Sequence, residues 1–245
     1  MTDGLLLIHA FPLDARMWEP QLAALADAVP VVAPHLPGFG GTPPAGDVMT
    51  MAAGADRCLS ALDEAGIDRA VVCGLSMGGY VALELWRQAK ERFRGLVLAN
   101  TKAGADTPEG ADGRRALAAR LVSEGNAFLA EAPPPLLSDG APEAMRRRVR
   151  GWISDQPAAS IAAAALGMAE RPDSTADLAS IAVPTLVVTS DGDALIPPDV
   201  TSPMAQQIPG ATLATIERAG HLSNVEAAEA FDELLAAHLE ACLGS

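Results

Sequence analysis

Short apolar runs alternate with helical patterns along most of this chain, and the alternation restricts the folds that it can adopt. The strand-like runs lie at residues 4–9, 29–33, 69–73, 95–99, 184–189 and 211–216. The helical patterns lie at residues 19–28, 50–65, 77–89, 199–207 and 225–241. Short buried strands that alternate with helices are typical of a parallel sheet with helices on both faces. The sequence therefore predicts an α/β fold with a doubly wound, mostly parallel sheet.

One long segment, residues 101–182, interrupts this alternation. It is rich in alanine, arginine and other helix-forming residues, and it is broken by three consecutive prolines at 133–135. We predict that it forms a helical cap, inserted into a core that is built from residues 1–100 and 183–245. A cap over a site at the edge of the sheet would exclude water and shape the pocket.

The most specific motif is the pentapeptide Gly74-Leu75-Ser76-Met77-Gly78, which follows a β-branched run and precedes a helix-forming stretch. In this context Gly-x-Ser-x-Gly forms a sharp strand-to-helix turn that exposes the serine hydroxyl. Glycine at both ends lets the two arms of the turn pass close together. The first N–H groups of the helix favour a negative charge that develops beside the serine. The motif predicts that Ser76 is a nucleophile.

A serine hydroxyl is a weak nucleophile near neutral pH and needs a general base. The chain contains four histidines, which are His9, His35, His221 and His238. In the chain order serine, acid, histidine, the base is His221, because it lies in a loop after the last apolar strand. We expect the acid just after the preceding strand and favour Asp193, which stands a short apolar step before two prolines; Asp191 is the alternative.

Acyl transfer also needs two hydrogen-bond donors for the oxyanion. We predict the N–H of Met77, the residue after the nucleophile, and the N–H of Phe11, in the loop after the first strand, where Pro12 has no N–H to donate. His9 is expected to support the same loop and is a candidate substrate contact. Trp152, in the predicted cap, is a second candidate contact.

The segment MRRRVR, at residues 145–150, concentrates arginine in the predicted cap. A solvated helix face is the interpretation that we favour for such a run. The alternative is that one of these arginines faces the site and binds the carboxylate of an acidic substrate.

These motifs together resemble the α/β-hydrolase family over essentially the whole chain. The matching segments are HAF at residues 9–11, HLPGFGGT at 35–42, the serine pentapeptide, Asp193 and the Gly220-His221 pair. Within the family the chain is most similar to small esterases and lactonases related to 3-oxoadipate enol-lactonases, pimeloyl-carrier ester hydrolases and cofactor-free perhydrolases. Two positions depart from the family pattern: Ala10 replaces a glycine and His35 replaces an aspartate.

The resemblance implies hydrolysis of small carboxylic esters or lactones through an acyl-serine intermediate, with no cofactor and no metal. A perhydrolase or a C–C bond hydrolase would use the same three residues and is the first alternative. A ligand receptor on the same fold, without repeated turnover, is the alternative from another class. Many turnovers per site would distinguish an enzyme from a receptor.

Composition limits the partners of the chain. The 245 residues carry 17 basic and 31 acidic side chains, for a net charge of −14, which argues against nucleic acid or an anionic membrane as a partner. No apolar run approaches the length of a membrane span. The three cysteines lack the spacing of a metal site, and free thiols fit a reducing compartment. We therefore expect a cytoplasmic monomer or homodimer that acts on small molecules.

Overall fold

A computed structural model describes residues 1–244 of the chain. Its six strands form one parallel sheet in the order β2-β1-β3-β4-β5-β6. The strands are β1 (Asp3–Ile8), β2 (Val31–Val32), β3 (Arg69–Leu75), β4 (Phe93–Ala99), β5 (Thr185–Ser190) and β6 (Thr212–Ile216). The predicted α/β, doubly wound class is confirmed, and every pairing in the described sheet is parallel.

Eleven α-helices accompany the sheet in residues 1–244. They are α1 (Glu19–Leu25), α2 (Met51–Glu64), α3 (Met77–Gln88), α4 (Pro108–Glu124), α5 (Ala127–Glu131), α6 (Glu143–Ser154), α7 (Ala158–Ala169), α8 (Pro198–Thr201), α9 (Pro203–Gln207), α10 (Ser223–Glu226) and α11 (Ala228–Leu243). Short 3₁₀ helices cover Ala15–Trp18, Lys90–Arg92 and Thr175–Ser180.

The strand order explains why helices cover both faces of the sheet. The chain moves from β1 outward to β2 and then back across β1 to β3. Because crossovers between parallel strands are right-handed in nearly all proteins, this reversal places α1 and α2 on opposite faces. The helices pack accordingly, α2 against α3 and α1 against α11. The loops that follow β1 and β3 diverge at this point, and such a switch point forms a crevice at the carboxyl ends of the strands.

The central strands are buried on both faces, which is why their sequences are continuously apolar rather than alternating. In β1, Leu5, Leu6, Leu7 and Ile8 are all fully buried. The side chains of β3 and β4 continue the same core. Burial of each such side chain contributes roughly 1.5–3 kcal/mol to folding. The core therefore fixes the strand ends from which the candidate site residues extend.

Proline explains why two of the elements are shorter than the apolar patterns predict. The predicted strand at residues 29–33 pairs only over Val31–Val32, between Pro30 and Pro34, neither of which has an N–H for the ladder. The predicted helix at residues 199–207 is split into α8 and α9, and the second helix starts at Pro203. A proline in a helix interior removes one hydrogen bond and clashes with the preceding turn.

Residues 101–182 contain α4 to α7 and one 3₁₀ helix, and none of them belongs to the sheet. Within this segment α4 packs against α7, and α5 packs against α6. The segment is joined to the last loop of the core, because Leu222 donates its N–H to the carbonyl of Leu136 at 2.9 Å. Glu226 accepts from the N–H of both Ser138 and Gly220, at 3.0 and 2.9 Å.

Among residues 1–244, no helix combines the length and the apolar composition that crossing a membrane would require.

Candidate active site

Ser76 lies at the turn between β3 and α3 in a strained backbone conformation, with φ of 57° and ψ of −116°. A non-glycine residue in such a region typically costs on the order of 1–3 kcal/mol and persists only where its surroundings fix it. Here the N–H of Ser76 donates to Ala99 at 3.0 Å. Its carbonyl accepts the hydroxyl of Thr101 at 2.7 Å. The end of β4 therefore holds the serine turn in place.

The two glycines of the pentapeptide are required by contact between backbones. A Cβ on Gly74 would lie 2.2 Å from the carbonyl oxygen of Gly78. A Cβ on Gly78 would lie 2.0 Å from the carbonyl oxygen of Ile8, at the end of β1. Neither contact is with a flexible side chain, so neither position accepts a side chain without moving the turn. The close approach keeps Ser76 next to the loop that follows β1.

His221 and Asp193 form a buried pair. Nδ1 of His221 lies 2.9 Å from Oδ2 of Asp193, and both side chains are completely buried. The other ring nitrogen of His221, Nε2, is also buried but has no hydrogen-bond partner in residues 1–244. Buried polar atoms of this kind are nearly always paired in proteins. An imidazole held by a carboxylate at one nitrogen and free at the other is suited to accept a proton from a reacting group.

Asp193 is held as a carboxylate. Its Oδ1 accepts the N–H groups of Leu195 and Ile196, each at 2.9 Å. Its Oδ2 accepts the side-chain amide of Asn100, also at 2.9 Å. Burial raises the pKa of Asp193, but the hydrogen bond and charge of His221, with the bonds from Ile196 and Asn100, outweigh burial and hold that pKa below its usual range. The ionised carboxylate therefore accepts the Nδ1–H of His221.

Asp191, the alternative acid, lies elsewhere. Its carboxylate is exposed and accepts the N–H of Arg218 at 2.6 Å, which fixes the turn after β6. The structure thus brings Asp193, and not Asp191, to His221.

Asn100 is a candidate site residue that the sequence motifs did not include. It follows β4, has a φ of 45°, and donates its side-chain amide to Asp193 and to the hydroxyl of Ser190, the latter at 2.7 Å. Its Oδ1 accepts the hydroxyl of Ser223 at 2.7 Å. The available signal was an asparagine directly after a buried strand, because asparagine tolerates positive φ and ligands bind at this edge of the sheet.

The two predicted oxyanion donors follow neighbouring strands at the switch point. Phe11 lies after β1, and Met77 is the first residue of α3. Within residues 1–244 neither N–H donates to another backbone or side-chain acceptor. The first N–H groups of a helix are normally unpaired, so Met77 remains free to bind an anion. Phe11 and Ser76 both line one cavity, so the two loops face the same space.

His9 and Trp152, the two candidate substrate contacts, do not line this cavity. His9 is completely buried, with Nδ1 3.1 Å from the carbonyl of Ala10 and Nε2 accepting the N–H of Leu36 at 3.0 Å. Burial lowers the pKa of His9 to about 4. These contacts hold the loop after β1, as expected, and leave no ring nitrogen for a substrate. Trp152 is buried within α6.

The cavity at Ser76 has a volume of about 320 Å³, at the small end of the range for ligand sites. The core contributes Phe11, Tyr80 and Ile196, among others, and residues 101–182 contribute Leu117, Pro134 and Met168. Residues 101–182 therefore contribute both apolar and charged side chains to the wall of this cavity, the charged ones being Lys102 and Arg114. In residues 1–244 no three His, Cys, Asp or Glu side chains form a group that could hold a metal ion.

Comparison with known proteins identifies the family of the chain. Residues 5–234 match the family model described as the alpha/beta hydrolase family. The chain belongs to the alpha/beta hydrolase family. In this family the triad residues follow the chain order serine, acid, histidine, which is the order of Ser76, Asp193 and His221.

Relatives of this alpha/beta hydrolase include esterases and a lactonase. It is 32% identical to a pimeloyl-[acyl-carrier protein] methyl ester esterase of Aromatoleum aromaticum, over 89% of this chain and 90% of that protein. It is 30% identical to 3-oxoadipate enol-lactonase 1 of Acinetobacter baylyi, over 95% of this chain and 87% of that protein. A thermophilic esterase from Thermogutta terrifontis, solved with malate bound, matches with a TM-score of 0.94 and 38% identity, over 99% of this chain and 92% of that chain.

Proposed function

We propose that this alpha/beta hydrolase cleaves carboxylic esters or lactones of small molecules through an acyl-serine intermediate. The observation on which the proposal rests is the hydrogen bonding of the two ring nitrogens of His221. One ring nitrogen is held by the ionised Asp193, and the other is buried without a partner. Asn100 and Thr101 connect this pair to the serine turn, because Asn100 binds Asp193 and Thr101 binds the carbonyl of Ser76. The arrangement supports proton transfer between Ser76 and His221.

In the first step, His221 takes the proton of the Ser76 hydroxyl as its oxygen attacks the carbonyl carbon of the substrate. Asp193 orients the imidazole and stabilises its cationic form. The N–H groups of Phe11 and Met77 bind the oxyanion of the tetrahedral intermediate. His221 then protonates the leaving alkoxide, and the acyl group remains on Ser76. In a lactone the leaving oxygen stays attached to the acyl chain.

In the second step, His221 accepts a proton from water, whose oxygen attacks the acyl carbon. The tetrahedral intermediate again places its negative charge at the same two N–H groups. Its collapse returns the proton from His221 to Ser76 and releases the acid. Apolar side chains in the cavity wall, such as Leu117 and Met168, reduce the contact of the site with water and strengthen these electrostatic interactions.

The relatives support ester and lactone bonds as the targets. An esterase of 32% identity and a lactonase of 30% identity both align with most of the chain. Both reactions transfer an acyl group from an oxygen to water, so one triad serves both. The esterase of known structure at 38% identity supports the same reaction class.

Steady-state hydrolysis of p-nitrophenyl esters, from acetate to octanoate, tests the proposal. We expect repeated turnover in the wild type and its loss in Ser76→Ala. The matched control is Ser60→Ala, because Ser60 is an exposed serine on α2 that bonds only to a carbonyl of its own helix. Activity that survives in Ser76→Ala would contradict the proposal. A single turnover per chain would favour a receptor instead.

A further inference from the structure

The charged side chains that line the cavity at Ser76 are all positive, although the chain as a whole is strongly acidic. The charged residues of its wall are Lys102 and Arg114, and its lining contains no Asp or Glu. The chain as a whole carries a net charge of −14. An overall acidic surface does not predict a cationic pocket, so the charge at this wall has a local origin.

That origin is a cluster of three cationic side chains around one carboxylate, Asp106. Arg171 lies 2.9 Å from Asp106, Lys102 lies 3.1 Å from it, and Nε of Arg114 donates to its other oxygen. Burial raises the pKa of Asp106, but the hydrogen bonds and charges of Arg171 and Arg114 reverse that effect and hold the pKa well below its usual range. Asp106 offsets one of the three positive charges and Asp173 interacts with Arg171, so a positive charge remains at Lys102 and Arg114.

The three cations differ in their exposure and in how many hydrogen-bond donors they leave unpaired. Arg171 is 3% exposed, donates to the carbonyls of Met168 and Gly104, and lies over the ring of Tyr80. It is therefore an internal anchor for Asp106. Arg114 and Lys102 are about a quarter exposed, at 24% and 27%.

The donors that remain free belong to these two exposed cations. Within residues 1–244, the two terminal nitrogens of Arg114 have no acceptor, because only its Nε is bonded. Lys102 has one ionic contact for an ammonium with three hydrogens. Both side chains contact Asp106, and both residues line the cavity at Ser76.

The arginine-rich run at residues 145–150 does not supply this charge. Arg146 donates to the carbonyls of Ser138, Asp139 and Ala141, and Arg150 pairs with Glu143. Both arginines line a different cavity, beside the three prolines. The carboxylate-binding alternative considered for that run therefore has no support at Ser76.

We infer that Lys102 and Arg114 bind a carboxylate group of the substrate, so that the preferred substrates are small esters or lactones that also carry a free acid. The apolar wall, which includes Leu117 and Met168, would hold the carbon chain between the acid and the reacting carbonyl. Arginine and lysine in a partly desolvated wall favour an anionic group through charge-assisted hydrogen bonds. The inference names the substrate class of the site proposed above and rests on that function.

The test compares two methyl esters of equal length: monomethyl glutarate, which ends in a carboxylate, and methyl 4-carbamoylbutanoate, which ends in a neutral amide. The leaving group and the acyl chain are the same, so the ratio of their kcat/KM values isolates the terminal charge. We expect the wild type to prefer the carboxylate by about tenfold or more at low salt. The preference should shrink as ionic strength rises, because salt screens partly exposed charges.

Variants of the two cations test whether Lys102 and Arg114 cause the preference for the carboxylate ester. Lys102→Gln and Arg114→Gln should each reduce the ratio severalfold, and the double variant should bring it close to unity. Arg114→Lys, which keeps the charge, should restore much of the ratio. The matched control is Arg115→Gln, because Arg115 is exposed on the same helix, pairs with Asp112 and does not line this cavity. Arg171 remains in every variant to hold Asp106.

The outcomes separate this inference from the proposed function. Equal kcat/KM values for the two methyl esters, or a carboxylate preference that the double variant keeps, would overturn the inference. In that case, Ser76-dependent hydrolysis of p-nitrophenyl butyrate would still uphold the proposed function. The absence of any Ser76-dependent ester hydrolysis would overturn both. A carboxylate preference that falls in the double variant and persists in Arg115→Gln would establish the inference.

Discussion

His221 donates Nδ1–H to Asp193 over 2.9 Å, between two side chains that have no exposed surface. This pairing fixes the tautomer of the imidazole, because a carboxylate can only accept. The unpaired Nε2 is then the acceptor nitrogen. The relationship supports the proposed role of His221 as a general base and leads to the first prediction.

Asp193→Asn should lower kcat by about three to four orders of magnitude with little change in the fold. The amide oxygen can still accept from Leu195 and Ile196, but the amide NH₂ would face Nδ1 and force the imidazole proton onto Nε2. The measurement is kcat for p-nitrophenyl butyrate with a thermal melt alongside. Asp191→Asn, at the exposed carboxylate, should leave kcat unchanged; the reverse order of effects would assign the acid to Asp191.

Asn100→Gly should reduce kcat by about tenfold and leave KM nearly unchanged. Glycine accepts the φ of 45° without strain, so the variant removes only the side chain that positions Asp193. Ser223→Ala removes one donor to Asn100 and should produce a smaller loss. Full kinetic profiles of both variants check this order. An unchanged kcat in Asn100→Gly would show that the backbone bonds alone position Asp193.

Gly78→Ala should destabilise the protein by more than about 3 kcal/mol, because its Cβ would meet the backbone of β1 at 2.0 Å. Gly113→Ala provides the contrast, since Gly113 lies in α4 with open space around its Cβ position. That change should stabilise the protein by roughly 0.5–1 kcal/mol through helix propensity. Urea unfolding of both variants measures the difference, and equal stabilities would contradict the turn geometry.

His9 should make stability depend on pH between about 6.5 and 4. The pKa of His9 is lowered to about 4 in the folded chain, whereas an unfolded histidine titrates near 6.5. The unfolded state therefore binds a proton first, and stability falls as pH drops through this window, by about 3 kcal/mol from this residue. His9→Asn removes that contribution.

The measurement is the free energy of unfolding of wild type and His9→Asn at pH 7 and at pH 4. The wild type should be more stable than His9→Asn at pH 7, and this difference in the free energy of unfolding should be about 3 kcal/mol smaller at pH 4. A gap that is independent of pH would show that His9 titrates normally in the folded state.

The serine turn was predictable from the sequence because its determinants are local. Gly74, Ser76 and Gly78 lie within five residues, between a β-branched strand and a helix, and the structure keeps that arrangement. The pairing of His221 with Asp193 followed from chain order and strand ends. The sequence favoured Asp193 over Asp191, and in the structure both residues follow β5 but only Asp193 contacts His221.

Contacts between residues far apart in the sequence could not be predicted from the sequence patterns. Asn100 binds Asp193 across 93 positions, and no local periodicity reports such a contact. The cluster at Asp106 joins Lys102, Arg114 and Arg171, which stand in different parts of the predicted cap segment. The arginine run was the more visible basic feature, yet Arg146 binds local carbonyls, Arg150 pairs with an acid, and the other two arginines of the run are exposed.

The central claim is that Ser76 is the nucleophile, and covalent labelling tests it most directly. Diethyl p-nitrophenyl phosphate transfers a diethylphosphoryl group to an activated serine and releases p-nitrophenol. We predict one adduct per chain, located by peptide mass spectrometry on Ser76, formed in step with the loss of ester hydrolysis and strongly slowed in His221→Ala. An unlabelled Ser76 in a chain that still hydrolyses esters, or an adduct on another residue that abolishes activity, would contradict the account.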